Sequence, residues 1–413
     1  MQSVTRRDAT KFVAAEQGFG KPLPDVVSAL ERAVGLYAAA PSISLALMAR
    51  VRGFTQAMLE DALYTDKTAA RITAMRGVVY AVPKGLVPTA FQGSRATLEA
   101  AVAGLLKQLD ATEAELDKIA GFVGGLLASA PPLTVNEIRG FVPPGLPQEE
   151  NLGHMLSALC ARGYLVRATT KGGWRDNLHA YQRLAHWLPG IEISATPPDK
   201  ARADLARRYF EAYGPASLQD FAWWSGLKGP EAQVAFDAVR EELVEIGIQG
   251  MQGTFFLTKR KSRHLLGVQP PQPSTATLLP YWDAYMHAYW DRSRYVDRAS
   301  APYVYDKSGN GTNVVVVDGQ VVAIWDFEES RRRVNFRFAT FANAPANLER
   351  MLQPAVNRLN EFFAVPEVQI ERYPLPKPLV EEPAGAFQSP LKRRRTSSIE
   401  AEQAEAKKDD PAA

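Results

Sequence analysis

The strongest constraint in this chain is a local plan that recurs at unequal spacing: helix start, tight break, second helix, hairpin. In "ASLQDFAWWSGL" (residues 216–227), Ser217 and Asp220 stand as a capping box, so a helix starts at Leu218 and Gly226 stops it. Lys228, Gly229 and Pro230 restart the chain, with Pro230 suited to a first helical turn. Val234, Ala235, Ala238, Val239 and Leu243 then make one apolar face. Two β-prone runs around a turn at Gly250 and Gly253 complete a hairpin. Upstream, "LTVNEIRGFVPPG" repeats the order, with Thr134 and Glu137 as the box and Pro143, Pro144 and Gly145 as the break. Its second helix carries Leu152, Met155, Leu156 and Leu159, and its hairpin tip is Lys171, Gly172 and Gly173. A weaker copy, "GFTQAMLEDALYTDKTAARITAMRGVVYAVP", has a helix starting at Thr55, a second at Asp66, and a strand over 78–82. This is the plan of a winged helix-turn-helix. Unequal spacing excludes a solenoid, where the period is fixed.

After residue 274 the texture changes. "TNVVVVDGQVVAIWDFEESRRRVNFRFATF" holds strands, with a two-residue Asp318-Gly319 turn. In the last strand Val334, Phe336 and Phe338 alternate with Arg333, Asn335 and Arg337, which predicts a half-exposed antiparallel meander. "NLERMLQPAVNRLNEFF" is an amphipathic helix to cover it. The expected fold class is therefore α+β: three tandem winged helix-turn-helix units plus a C-terminal antiparallel β-barrel-like domain. The expected boundaries are 1–125 (first unit with N-terminal helices), 126–197, 198–273, 274–375 (barrel-like domain) and 376–413. That last stretch is Pro-rich and then charged, and is expected to be disordered.

The 413 residues carry one cysteine, Cys160, at an apolar helix position, which excludes an intramolecular disulfide and a cysteine-based zinc cluster. The N-terminus has no apolar stretch of signal-peptide length, and no segment is long enough to span a bilayer, so a cytoplasmic protein without membrane partners is expected. His154, His179, His186, His264 and His287 form no pair at metal spacing. No metal and no cofactor is expected. "DKSGNGTN" lies between strands and reads as a loop, not as a phosphate cradle. In the aromatic cluster, Trp223 and Trp224 lie about 100° apart around the helix axis. A structural role in the third unit's core is preferred to base stacking.

"SLQDFAWWSGL", "LLPYWDAYMHAYWDRSRYVD", "VVVVDGQVVAIW" and the first-unit segment "MARVRGFTQAMLEDALYTDKTAARITAMRGVVYAVP" resemble, in order, winged-helix DNA-binding proteins of the AlkZ and YcaQ type. The resemblance spans roughly residues 20–375. It implies relation to bacterial DNA glycosylases that excise alkylated purines and unhook interstrand crosslinks. Those enzymes share a motif of Gln, one residue, then Gln or Asp, whose polar side chains suit positioning a water and stabilising a cationic sugar. Here the corresponding window is "VGLYAAAPSISLAL", and the two positions fall at Tyr37 and Ala39. Alanine offers no polar chemistry, and a phenol is a poor base near neutrality. Glu31, Ser42 and Ser44 do not reproduce the spacing. The catalytic residues are thus unknown.

With a net charge of +3, DNA contact rests on where the cations fall. Arg71, Arg76 and Lys84 flank the first unit's second helix and strand. Lys171, Trp174 and Arg175 sit on the second hairpin, and Lys259, Arg260, Lys261 and Arg263 follow the third. These are the expected nucleic-acid contacts. Tyr37, Asp283 and Arg292 are candidate site-lining residues, with a buried ion pair as the structural alternative for Asp283. The basic run at 392–395 suits a flexible, nonspecific DNA-binding arm. The expected function is DNA binding, on duplex or damaged DNA, by a monomer that is nucleoid-associated if bacterial. The alternatives are an active glycosylase with an altered motif, or a helix-turn-helix transcriptional regulator.

Overall fold

The computed structural model describes residues 2–170, 178–266, 274–330 and 332–391. The architecture is α+β, with helices interleaved among three small three-stranded sheets and one five-stranded sheet.

The small sheets share one construction. In the second, strand Leu133–Thr134 leads into helices Val135–Arg139 and Leu152–Ala161, and strands Leu165–Thr170 and His179–Arg183 follow; the last strand lies at the centre. In the third, an isolated bridge between Ala216 and Phe256 takes the place of the leading strand. Helices Leu218–Ser225 and Gly229–Asp237 come next, then strands Leu243–Ile248 and Phe255–Thr258. An N-terminal strand, Gln2–Val4, adds to this sheet in parallel, pairing with 246–248. Both capping boxes form, at Thr134/Glu137 and at Ser217/Asp220, and Gly226 ends its helix at φ 75°. A Cβ on Gly226 would lie 2.9 Å from the Cα of Arg76, so glycine serves both the left-handed turn and a close approach of chains.

The first copy is offset from its expected register. Thr55 does cap a helix, Gln56–Glu60, which widens into a π turn over Asp61–Thr65. No helix starts at Asp66. Lys67 sits at φ 52° and strand Ala69–Thr73 follows, buried along its whole length and paired with Val79–Pro83. An Ala-rich run suits either helix or strand; pairing with Val79–Pro83 and burial along its whole length decide for the strand. The helix preceding Gln56–Glu60 is Ser42–Met48, buried on every side, and strand Leu36–Tyr37 leads into it.

The C-terminal sheet runs in the order Ala276–Leu279, Val314–Val317, Gln320–Glu329, Arg333–Thr340, Glu367–Arg372. Its edge strands do not pair with each other, so the expected barrel does not close. The last strand is parallel to its neighbour because helix Leu348–Phe363 crosses over and covers one face with Leu348, Leu352, Ala355, Val356 and Leu359. The expected half-exposed strand is buried more deeply than its alternation suggests. Arg337 is sealed in and donates from Nε to Asp326 at 2.6 Å. The Asp318-Gly319 turn forms as expected, with both residues at positive φ and Val317 facing Gln320.

Three hydrophobic cores order these parts. One belongs to the second small sheet and the helices around it, from Phe91 and Leu98 to Tyr181. A second joins Val26, Leu30, Ile43 and Leu59 of the first copy to Val315, Trp325 and Phe336 of the C-terminal sheet. The third joins Tyr209, Tyr213, Phe221 and Trp224 to Tyr285, Tyr289 and Tyr295. Its phenols are satisfied across the junction: Tyr209 donates to the Ala288 carbonyl at 2.8 Å, and Tyr289 to the Tyr213 carbonyl at 2.7 Å. The aromatic string "YWDAYMHAYWDRSRY" is thus largely a joint between the third unit and the C-terminal sheet.

The chain beyond 375 is not disordered throughout. Leu379, Phe387 and Leu391 are buried. Phe387 packs on Tyr281 and Trp282, Thr312 Oγ1 donates to its carbonyl at 2.5 Å, and Leu391 N–H donates to Asp326 at 2.9 Å. Pro374, Pro376 and Pro378 keep this strap extended, and its few anchors follow no helical or strand period, which is why composition alone reads as unfolded. The basic run at 392–395 lies outside the described residues.

Candidate nucleic-acid interface

Tyr37 ends the short strand that faces Tyr80, and both motif positions sit on a strand and turn, not on a long helix. Its half-buried ring stands edge-on to Trp282, with centroids 4.9 Å apart, and to Tyr80 at 6.4 Å. Burial, and secondarily Tyr281, push the Tyr37 phenol above its ordinary value, away from any role as a base near neutrality. Ala39 offers only a methyl. Ser44 is buried and bonded to Gln56 at 2.8 Å, and Glu31 faces a different cleft.

Trp282 takes φ 58°, a backbone region that an indole-bearing residue rarely adopts. Its Nε1–H donates to Asn310 Oδ1 at 3.1 Å, which fixes the indole between Tyr37 and Phe387.

Arg76 occupies the turn between strands Ala69–Thr73 and Val79–Pro83, also at positive φ (55°), and its guanidinium lies 4.1 Å above the Trp223 ring. Trp224 is buried in the aromatic core beside Tyr209, whereas Trp223 turns outward to meet Arg76 and Trp290. Trp290 is 53% exposed. Arg292 stacks on Tyr305 at 3.9 Å and donates to the Gly309 carbonyl at 3.2 Å. His287 is pushed down to about 3 by burial and then by Arg292 and Arg76, so its imidazole is neutral.

The other expected contacts divide sharply. Arg71 is buried on its strand against Tyr64 and His179, with Nη1 3.4 Å from His179 Nδ1, and joins the first and second small sheets instead of facing a duplex. Lys84 is half-buried just after its strand. Lys259, Arg260, Lys261 and Arg263 lie on a helix, Lys259–Leu266. Lys261 is buried against Glu16, while the largely exposed Arg260 pairs with Glu211; both line a cleft of about 610 Å³ that is also lined by Arg32, Asp204, Arg207 and Arg208. Lys171, Trp174 and Arg175 lie outside the described residues.

Asp283 does not line the site. It is fully buried and takes a bidentate pair of 2.7 Å hydrogen bonds from Arg50, a partner the sequence reading missed. Its Oδ1 also accepts the Tyr285 N–H at 2.9 Å, fixing the turn that follows Trp282. His287, Trp282 and Trp290, not singled out as site residues from the sequence, sit in the aromatic segment already noted. Among the described residues, no group of three or more His, Cys, Asp or Glu could hold a metal ion, and no helix is long and apolar enough to cross a membrane.

Comparison with known proteins gives this arrangement a family. The family model "DNA glycosylase AlkZ-like" matches residues 30–362, and the chain belongs to that family. A curated relative, the interstrand DNA cross-link repair glycosylase of Streptomyces sahachiroi, is 25% identical over 224 residues, which is 51% of this chain and 56% of the relative's length. The chain thus spans little more than half of that relative. The solved structure of the Streptomyces sahachiroi DNA glycosylase AlkZ covers 90% of this chain and 100% of its own at a TM-score of 0.73, with 18% sequence identity, a likeness of fold.

Proposed function

We propose that this protein is a DNA-binding member of its family that grips duplex or damaged DNA as a monomer, with its three helix–helix–hairpin units acting as winged helices. It would hold a displaced nucleotide against the aromatic edge of Tyr37 and Trp282 without the family's usual excision chemistry. One observation carries this reading: the motif positions hold Tyr37 and Ala39, beside an indole fixed by Asn310, so the edge offers ring faces where hydrolysis needs a positioned water. Arg76 and Arg292 border the same edge and supply cationic contacts to a backbone.

The test is single-turnover excision with excess protein, on duplexes carrying an alkylated purine or an interstrand crosslink, with binding measured on the same DNA. Tight, salt-sensitive binding without abasic product is expected. Abasic product that disappears in Tyr37→Phe would instead establish a glycosylase with an altered motif. Its rate would then climb as pH rises, because the phenol is shifted upward.

A further inference from the structure

Two guanidiniums and two unsatisfied ring nitrogens meet beside Trp223. Among the described residues neither Arg76 nor Arg292 has a carboxylate partner, although both lie within 6 Å of the same indole: Arg76 at 4.1 Å and Arg292 at 5.9 Å from its centroid. The carboxylates of the same segments are engaged elsewhere. Asp220 accepts the Trp290 N–H at 2.9 Å, Asp291 the Ser293 N–H at 2.9 Å, and Asp306 the N–H groups of Ser308 and Asn310. Burial first, and Arg292 more weakly against an opposing effect of Tyr80, hold Arg76 below its ordinary value. Trp223 Nε1 and His287 Nε2 are cut off from solvent with no hydrogen-bond partner among the described residues. An orphaned buried donor costs about 1–3 kcal/mol. The Trp223 indole N–H is such a donor, and with the unpartnered His287 nitrogen and two cations that lack carboxylate partners it calls for an anion that accepts several hydrogen bonds.

The loop opposite is shaped for approach. A Cβ on Gly309 would lie 3.3 Å from Arg292 Nη2, and one on Gly311 would lie 3.1 Å from Tyr305 Cε1 and 3.8 Å from His287 Nε2. Side chains at these positions would close the space around Arg292 and His287.

We infer that Arg76, Arg292, the Trp223 indole N–H and His287 form the seat of one phosphate group, and, resting on the DNA reading above, that this is the backbone phosphate of the nucleotide presented to Tyr37 and Trp282. The planar, stacked arginines act as bidentate donors, and the neutral imidazole donates from Nε2 once the anion arrives. The seat joins three parts of the chain: the first hairpin turn, the helix Leu218–Ser225 and the segment after Trp282. Its occupancy therefore reports that all three have closed on the DNA.

The experiment uses the full chain. Duplex binding is followed by fluorescence anisotropy between about 50 and 300 mM salt for wild type, R76Q, R292Q, R76K and R292K. In parallel, the Trp223 indole and His287 ring nitrogen NMR signals of wild type are followed during titration with the duplex or with inorganic phosphate. The expected result is affinity lowered several-fold in each Gln variant. The log K against log salt slope should be shallower by about 1, with partial rescue by Lys and movement of both ring signals on adding duplex. Unchanged affinity and slope in R76Q and R292Q, with ring signals unmoved by duplex that binds, overturn the seat and leave the DNA reading standing. If wild type does not bind duplex but inorganic phosphate moves both signals, the DNA reading falls and the seat stands for a free phosphate. If wild type binds no duplex and inorganic phosphate moves neither signal, both fall. The wild-type NMR arm needs no variant to fold.

Discussion

Arg50 and Asp283 are 233 positions apart and meet with both side chains at zero exposure. Removing one member leaves the other charged and dry, so Arg50→Met should cost about 3–5 kcal/mol in urea unfolding. Replacing both, as R50M with D283L, should recover most of that loss; a double variant as unstable as the single would refute the pairing as the cause. His287 and His179 bear on acid stability. Each is depressed to about 3 in the fold, His287 by burial, Arg292 and Arg76, and His179 by burial, Arg71 and Arg167. The unfolded chain therefore takes up protons near pH 6.5 that the native state refuses until near 3. Their contribution is whole above about pH 6.5 and drains away as pH falls toward 3. Urea midpoints measured from pH 7 to 4 should decline, and the decline should flatten in H179Q/H287Q. An identical slope in that variant would remove both histidines from the account.

At the scale of elements, Gly226 links a helix cap to the neighbouring turn. Gly226→Ala faces a left-handed backbone and a 2.9 Å approach to Arg76, so a destabilisation of more than about 1 kcal/mol is expected. It should also displace Arg76 from Trp223, visible as a change in indole fluorescence. Ser217→Ala should cost about 1 kcal/mol through the cap alone, without that optical change. Elements like these were readable in the sequence because their signals are local: capping boxes, Pro230 in a first turn, Asp318-Gly319 between alternating runs. The first copy slipped by one element because Thr55 caps the second helix of its pair and the first, Ser42–Met48, is buried all round and lacks a capping side chain. Closure of a barrel and the strap over Trp282 depend on which edges and anchors meet across a long stretch of intervening chain, and no local period encodes that. The same holds at the site. Tyr37, Arg76 and Arg292 could each be named from sequence, but their grouping with Trp223 and His287 rests on contacts between three separate elements.

Across the whole molecule, the cores assign independence unevenly. The second small sheet and its helices bury a cluster of their own, with Val166, Ala168, Leu184 and Leu188 reaching into the aromatic core, while the first copy shares its core with the C-terminal sheet. A fragment covering 87–196 should therefore unfold cooperatively by itself. A fragment ending at residue 86 should show exposed apolar surface by dye binding and no sharp transition. A cooperative transition in the shorter fragment would contradict the shared core.

The strand Gln2–Val4 finds its partner only at 246–248. A ribosome adding roughly 5–20 residues per second needs about ten to fifty seconds to cover that interval. Throughout it that strand has nothing to pair with, and the first copy waits longer still for its covering sheet. Synthesis thus imposes a period in which segments made early stay unfinished until the final third has emerged.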